Sequence, residues 1–254
     1  MTERLRIAVL SRNFATTGGG AERYSIALVE ELAARHEVHV FAQTIAHDCA
    51  GVSYHRIPMP LQRPRWINQL YFAWATWRAT RTGFDIVHSH ENTWHGNVQT
   101  VHVLPVKHTL FAGKRGIALA LRWLKVVTSP RLLAYLWLEK RRYAWGLRKQ
   151  IVTASEPLRE VVAKTFPASQ SMLSVVAPGV EAGAGRVRPA EQEAACRGLG
   201  LPPGSGPWLL FVGNDVVRKG LPVLLEAMRQ LPETLGLLVV GQGDGHAAVM
   251  AQAQ

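Results

Sequence analysis

Apolar residues along this chain fall in short runs separated by amphipathic stretches, the pattern of strands alternating with helices. Leu5 to Leu10 reads as a β-strand after a short polar start. Ala21 to Arg35 follows with helical periodicity, Ile26, Val29 and Leu32 sharing one side. Glu37 to Ala42 and Val52 to Ile57 predict two more strands, Asp85 to Val87 a short fourth and Thr100 to Leu104 a fifth. Ile151 to Thr153 and Ser174 to Ala177 supply a sixth and seventh. Strands alternating with helices predict an α/β fold, a doubly wound parallel sheet covered on both faces. Ligands in such folds bind beyond the carboxyl ends of the strands. Gly18, His88, His90, His102, Ser155 and Gly179 all follow predicted strands and therefore gather at that rim.

The character changes at Glu181 to Pro207, where Gly and Pro are frequent. Residues 181–206 read as an interdomain linker holding one short helix, Pro189 to Gly198. A second α/β unit then opens with strand Trp208 to Val212, helix Leu221 to Leu231 and strand Gly236 to Val240. The predicted division is a first domain at 1–180, the linker, and the start of a second domain at 207–254. A doubly wound domain usually has about five or six strands. The second domain is therefore expected to be incomplete, as in a fragment of a longer protein.

Charge adds a partner class. The chain carries a formal net charge of +11, and residues 107–149 hold eleven Lys/Arg against one acid, Glu139. That excess points to an anionic surface: phospholipid, nucleic acid or a phosphorylated substrate. The alternative is a solvated basic helix face. Trp123, Tyr135, Trp137, Tyr143 and Trp145 lie among these cations, a mixture suited to stacking bases or to sitting at a lipid interface. Arg122, Lys125, Pro130 and Arg131 interrupt Ile117 to Leu138 and argue against a spanning helix. Trp66, Tyr71, Trp74 and Trp77 form a stripe at near-helical spacing, read as core, with acceptor or membrane contact as the alternative. Glu139 is read as structural, paired with a neighbouring cation. Cys49 and Cys196 make no metal or redox spacing and suit free thiols in a reducing cytosol.

Chemistry concentrates in two glycine-marked loops. Gly213 ends the strand Trp208 to Val212, a loop presents Arg218 and Lys219 together, and Gly220 and Pro222 open a helix. Two cations before a helix N-terminus suit a doubly charged anion such as a diphosphate. Gly18-Gly19-Gly20-Ala21-Glu22-Arg23 forms a second loop near the other end of the chain. A dinucleotide fingerprint is disfavoured, because Arg23 stands where its last glycine belongs and the second strand runs into Gln43-Thr44. His88, His90, His95, His102 and His108, with Asp85 and Glu91, raise a zinc reading. No Cys joins them, and their spacing matches no common zinc pattern.

These pieces, in this order, resemble the family 4 retaining glycosyltransferases of the GT-B fold. The resemblance rests on the glycine loop, Asp85-Ile86-Val87-His88-Ser89-His90, Thr100-Val101-His102, Thr153-Ala154-Ser155-Glu156, Ala177-Pro178-Gly179-Val180, Phe211-Val212-Gly213 with Arg218-Lys219-Gly220, and Val239-Val240-Gly241-Gln242-Gly243. The members that add glucose to the heptose of lipopolysaccharide core are the most similar. The resemblance implies two Rossmann-like domains, the first on the acceptor side and the second binding a nucleotide sugar, UDP- or GDP-linked. It implies a hexose transferred with retention to a lipid-linked or lipopolysaccharide-core saccharide. Arg218 and Lys219 would hold the donor diphosphate and stabilise its departing charge, with no metal and no other cofactor. Gly18, Gly19, Gly20 and Gly213 would lie against the donor. His102 would hydrogen-bond the transferred sugar without attacking it, or be a structural histidine at a strand end. The family's paired glutamates, seven residues apart, are expected beyond residue 254. Pro178 and Glu181 stand where the family has Asn and Asp. The resemblance favours membrane over nucleic acid for the basic segment. Arg115, Arg122, Trp123, Lys125 and Arg131 would contact an anionic membrane, with the protein cytoplasmic and peripheral on the inner face of the cytoplasmic membrane. A catalytically inactive truncated fragment, or a module that only binds anionic surfaces, is the alternative.

Overall fold

The computed structural model describes residues 4–16, 19–179, 188–201, 207–217, 219–232 and 234–241. The chain divides into two compact units, Met1–Val180 and Glu181–Gln254.

The first unit runs β1 (Arg6–Leu10), β2 (Asn13–Phe14), α1 (Gly20–Ala33), β3 (Glu37–Ala42), β4 (Thr44–Ile45), β5 (Val52–Arg56), α2 (Arg65–Thr80), β6 (Ile86–Ser89) and β7 (Val98–Val101). It continues through α3 (Val106–Phe111), α4 (Gly116–Val127), α5 (Pro130–Arg142), β8 (Gln150–Thr153), α6 (Glu156–Thr165), a 3-10 turn (Pro167–Met172) and β9 (Leu173–Val175). Seven strands pair in parallel in the order β5-β3-β1-β6-β7-β8-β9. The order reverses between β1 and β6, where Ile7 pairs with Ile86 and Leu10 with Ser89.

Alternation along β1 explains why both sheet faces are covered. Ile7 and Val9 point to one face and pack with Val38 and Val40 against Ile26 and Val29 of α1. Ala8 and Leu10 point to the other and pack with Phe41, Val87 and Phe72 of α2. Successive strand residues face opposite sides, so an unbroken apolar run requires a layer on each. A third cluster joins Val101 and Ile151 to Leu158 and Val162 of α6. The α2 stripe is a correction. The helix buries Asn68, Gln69, Phe72, Ala73, Thr76 and Thr80, while Trp74 and Trp77 are exposed. A four-residue repeat through 68, 72, 76 and 80 sets the sheet-facing side. The tryptophans fall outside it.

Two further expectations shift. The fifth strand starts at Val98 and ends at Val101, so Val103 and Leu104 extend the apolar run beyond the sheet into solvent. Glu139 is buried as a structural residue, but its partners are backbone amides. Its carboxylate accepts from the N–H groups of Val106 and Lys107, the latter at 2.9 Å. Those are the first orphan donors of α3, which has no capping side chain of its own at Pro105. A buried carboxylate at a helix N-terminus satisfies them and meets the positive end of the helix dipole.

In the second unit, α7 (Pro189–Gly198) precedes β10 (Trp208–Val212), α8 (Leu221–Met228) and β11 (Gly236–Val240). The two strands pair in parallel from Trp208↔Gly236 to Val212↔Val240. Val216 and Leu221 are its buried apolar residues among those described, with Phe211, Leu224, Leu225, Leu237 and Val239 packed around them. The opposite sheet face presents Leu210 at 64% exposure and Val212 at 61%.

Candidate functional site

The sheet order fixes where a first-unit site belongs. The switch point between β1 and β6 opens a crevice at the strands' carboxyl ends. Arg12 leaves β1 there, and His90 and Glu91 leave β6. The His90 N–H donates to Leu10 O at 3.0 Å, and the Arg12 N–H donates to Glu91 Oε1 at 3.0 Å. The Arg12 guanidinium donates to Gln69 Oε1 at 2.7 Å and Gln43 Oε1 at 3.2 Å. Burial pushes the Glu91 carboxyl up, opposed by its bond from Arg12 and by the Arg12 and Arg142 charges.

A histidine stack continues along the rim. His88 Nε2 bonds Thr100 Oγ1 at 2.7 Å, and its ring stacks on His90 at 4.5 Å. His90 Nδ1 lies 3.3 Å from His102 Nε2, with the two rings nearly parallel. Tyr24 of α1 packs edge-on against His102 at 5.2 Å. Arg142 donates to Thr100 O at 2.6 Å, and its Nε is a buried donor with no partner among the described residues. His90 Nε2 is likewise buried and unpartnered. Burial lowers His88 to about 4. Burial also lowers His90 and His102, with the Arg142 charge acting in the same direction on both. The stack is therefore neutral at pH 7, a row of groups that can each donate and accept one hydrogen bond.

The structure thus brings His88, His90 and His102 together, and adds Tyr24, Glu91 and Arg142. Sequence reasoning missed Tyr24, although it directly follows the glycine loop, and Arg142, which is one cation among several on α5. Only the fold carries them to the rim. Among the described residues, those histidines bring no three ligand atoms within reach of one ion. The group that does is Glu30, His47 and Cys49, where His47 Nε2 lies 3.0 Å from Glu30 Oε1. Cys49 and Cys196 are both free thiols.

Of the glycine loop, Gly18 lies outside the described residues. Gly19 caps α1 with an extended backbone, and a Cβ there would meet only Glu22 Oε2, at 3.2 Å. A Cβ on Gly20 would meet nothing within 4 Å. Neither glycine is demanded by the chain's own packing, which leaves open space above the helix N-terminus.

In the second unit, Arg218 lies outside the described residues. Gly213 and Gly241 end β10 and β11, and the Gly213 N–H donates to Val240 O at 2.8 Å. A Cβ on Gly241 would fall 2.0 Å from Gly213 O, and one on Gly213 2.5 Å from Lys219 Cδ. Glycine is required at 241, where the neighbour is backbone, whereas a side chain at 213 would displace the flexible end of Lys219. The Lys219 stem folds back across Gly213, which carries its ammonium to the carboxyl end of β10. Gly220, at φ 87°, turns the chain into α8.

The expected membrane-contact residues lie on α4 and α5 or next to them. Arg115 caps α4, Lys125 and Arg131 are exposed, Arg122 is partly buried, and the Trp123 ring packs tilted against Phe111 at 4.7 Å. Sequence reasoning missed the apolar stripe between them. Ile117, Leu121 and Leu124 project away from buried Val126 and are 80%, 63% and 60% exposed. No helix among the described residues is long and apolar enough to cross a membrane.

A parallel sheet with polar residues at its switch point, followed by a second α/β unit whose glycine turn carries a lysine, defines a two-unit α/β protein. The chain belongs to Glycosyltransferase Family 4, whose model matches residues 18–183. Among solved structures it is similar to WaaG, a glycosyltransferase involved in lipopolysaccharide biosynthesis, with a TM-score of 0.81 and 20% identity over 97% of this chain and 67% of that one. It is also similar to Anabaena HepE in complex with UDP-glucose, with a TM-score of 0.65 and 12% identity over 98% of this chain and 64% of that one. HepE in complex with UDP matches at 0.62 and 13% identity, again over 98% of this chain and 64% of that one. No curated protein matches the sequence. The fold is α/β of the GT-B type.

Proposed function

We propose that this chain supplies the acceptor-side unit, and part of the nucleotide-sugar unit, of a retaining hexosyltransferase. Its donor would be a UDP- or GDP-hexose and its acceptor a lipid-linked or lipopolysaccharide-core saccharide. Membership of a glycosyltransferase family supports the reaction class. HepE, which shares the fold, has been seen with UDP-glucose. The observation that carries the reading is the Lys219 stem lying across Gly213 at the carboxyl end of β10. With Arg218 beside it in sequence, the loop supplies two cations for a diphosphate. Their charge is worth most when the sugar–oxygen bond breaks and the diphosphate gains negative charge, because fixed cations then need no reorganisation.

On the first unit, Gly19 and Gly20 would let a ligand approach the start of α1 closely. His102, neutral and with Nε2 engaged by His90, keeps Nδ1 for a sugar hydroxyl. The residues Arg115, Arg122, Trp123, Lys125 and Arg131 surround an exposed apolar helix face. That pairing suits an interfacial helix on an anionic membrane, apolar residues at the acyl boundary and cations at the headgroups. A protein held peripherally on the cytoplasmic face would meet a lipid-linked acceptor there.

The test is calorimetric titration of UDP and GDP into the chain and into its Arg218→Ala/Lys219→Ala variant. One nucleotide should bind at least tenfold more weakly to the variant, a loss of about 1.4 kcal/mol or more. Equal affinity for both proteins would remove the diphosphate clamp.

A further inference from the structure

A second basic site lies at the opposite end of the first-unit sheet. A cavity of about 550 Å³ opens beside the residues that lead into β6, β7 and β8, so it sits at the amino ends of those strands. Its wall carries Arg81, Arg141 and Lys149 and no carboxylate. The Arg81 guanidinium makes no ion pair or hydrogen bond among the described residues. Lys149 donates to the carbonyl oxygens of Arg141 and Ala144, both at 3.2 Å, which leaves one of its three N–H donors. Burial and the nearby Arg142 charge lower Lys149 to about 8. An anion in the cavity would relieve that penalty.

Tryptophans stand beside these cations. Trp77, Trp94 and Trp145 share the cavity wall. Trp94 also lines a second space of about 530 Å³ with Leu70, Trp74, Leu133, Ala134 and Trp137, a groove between α2 and α5 with almost no polar surface. Trp94 meets Trp137 edge-on at 5.5 Å. Arg78 lies over the Trp74 ring and Arg141 over the Trp137 ring. A basic cavity and an apolar groove thus share one wall residue, Trp94, and one cation, Arg141, spans from the cavity to a groove ring.

A sugar or a free phosphate has no use for the groove, and a neutral lipid has no use for three cations without a counter-charge. We propose that this unit binds one molecule of an acidic phospholipid, its phosphate in the cavity at Arg81, Arg141 and Lys149 and an acyl chain in the Trp74–Trp94–Trp137 groove. The site is separate from the crevice at the carboxyl ends and does not depend on the glycosyl-transfer reading.

The chain would be titrated with dihexanoyl phosphatidylglycerol, dihexanoyl phosphatidylcholine and inorganic phosphate, each kept below micelle formation, with tryptophan fluorescence as the readout. The acidic lipid should bind at least tenfold more tightly than either comparison ligand. The Arg81→Glu/Arg141→Glu variant should lose that preference. Trp74→Ala, a change at an exposed ring, should weaken the acidic lipid several-fold and leave phosphate unchanged. Far-UV circular dichroism checks that both variants fold. Equal binding of the two lipids, phosphate binding as tightly as the acidic lipid, or an unchanged affinity in the folded double-charge variant would each overturn the proposal.

Discussion

The two units solve the same problem to different extents. In the first, every apolar strand residue of β1 finds a helix layer, Ile7 and Val9 against α1 and Ala8 and Leu10 against α2. In the second, β10 and β11 are as apolar as β1 and β3, yet Leu210 and Val212 are exposed because, among the described residues, α8 covers one face alone. Strand sequence therefore sets how much surface asks to be buried, and the number of covering layers decides how much is. Apolar burial at roughly 25 cal/mol per Å² dominates stability, so the two units should respond very differently to the same kind of mutation.

The largest contrast is expected from Phe72→Ala. Phe72 is fully buried between α2 and the sheet, and such truncations cost about 3–5 kcal/mol. Urea unfolding followed by amide resonances should show the first unit destabilised by that amount and the second little changed. A comparable effect should follow acidification. His88 is held neutral down to about 4, whereas an unfolded chain protonates near 6.5. The unfolded state then binds the extra proton, so stability is complete above about 6.5 and falls as pH drops towards 4. The loss from His88 is on the order of 3 kcal/mol. His95, lowered to about 4 by burial, acts in the same direction. Thermal melts from pH 7 to 4 measure it, and a flat profile would contradict the buried neutral stack. The smallest effect is assigned to Leu210→Lys on the open face of β10. A substitution on an exposed surface should change stability by no more than about 0.5 kcal/mol. A cost of several times that would mean that something covers this face in solution, and the contrast between the units would narrow.

Legibility in the sequence followed the same division between local and distant causes. Glu37 to Ala42, Trp208 to Val212 and Gly236 to Val240 were readable to the residue, because a polar or glycine boundary brackets each apolar run. The strand placed at Thr100 to Leu104 slipped because apolarity continues through Val103 and Leu104, and nothing local marks where the sheet stops. The Trp74 and Trp77 stripe misled because size and apolarity outweigh Asn68, Gln69 and Thr76, the polar residues that are buried. The histidines at the ends of β6 and β7 could be found from strand endings alone. Tyr24 and Arg142 reach them across 78 and 40 residues of chain from His102, a link that only the sheet order supplies. The apolar side of α4 was hidden among its own cations.

The approach of Gly241 to the carbonyl of Gly213 has a last implication. Hydrogen is the largest substituent that fits there, so any codon change adding a carbon at position 241 closes off the strand pairing below it. Among the described residues of this loop, variation can fall instead on exposed Asn214, Asp215 and Val217.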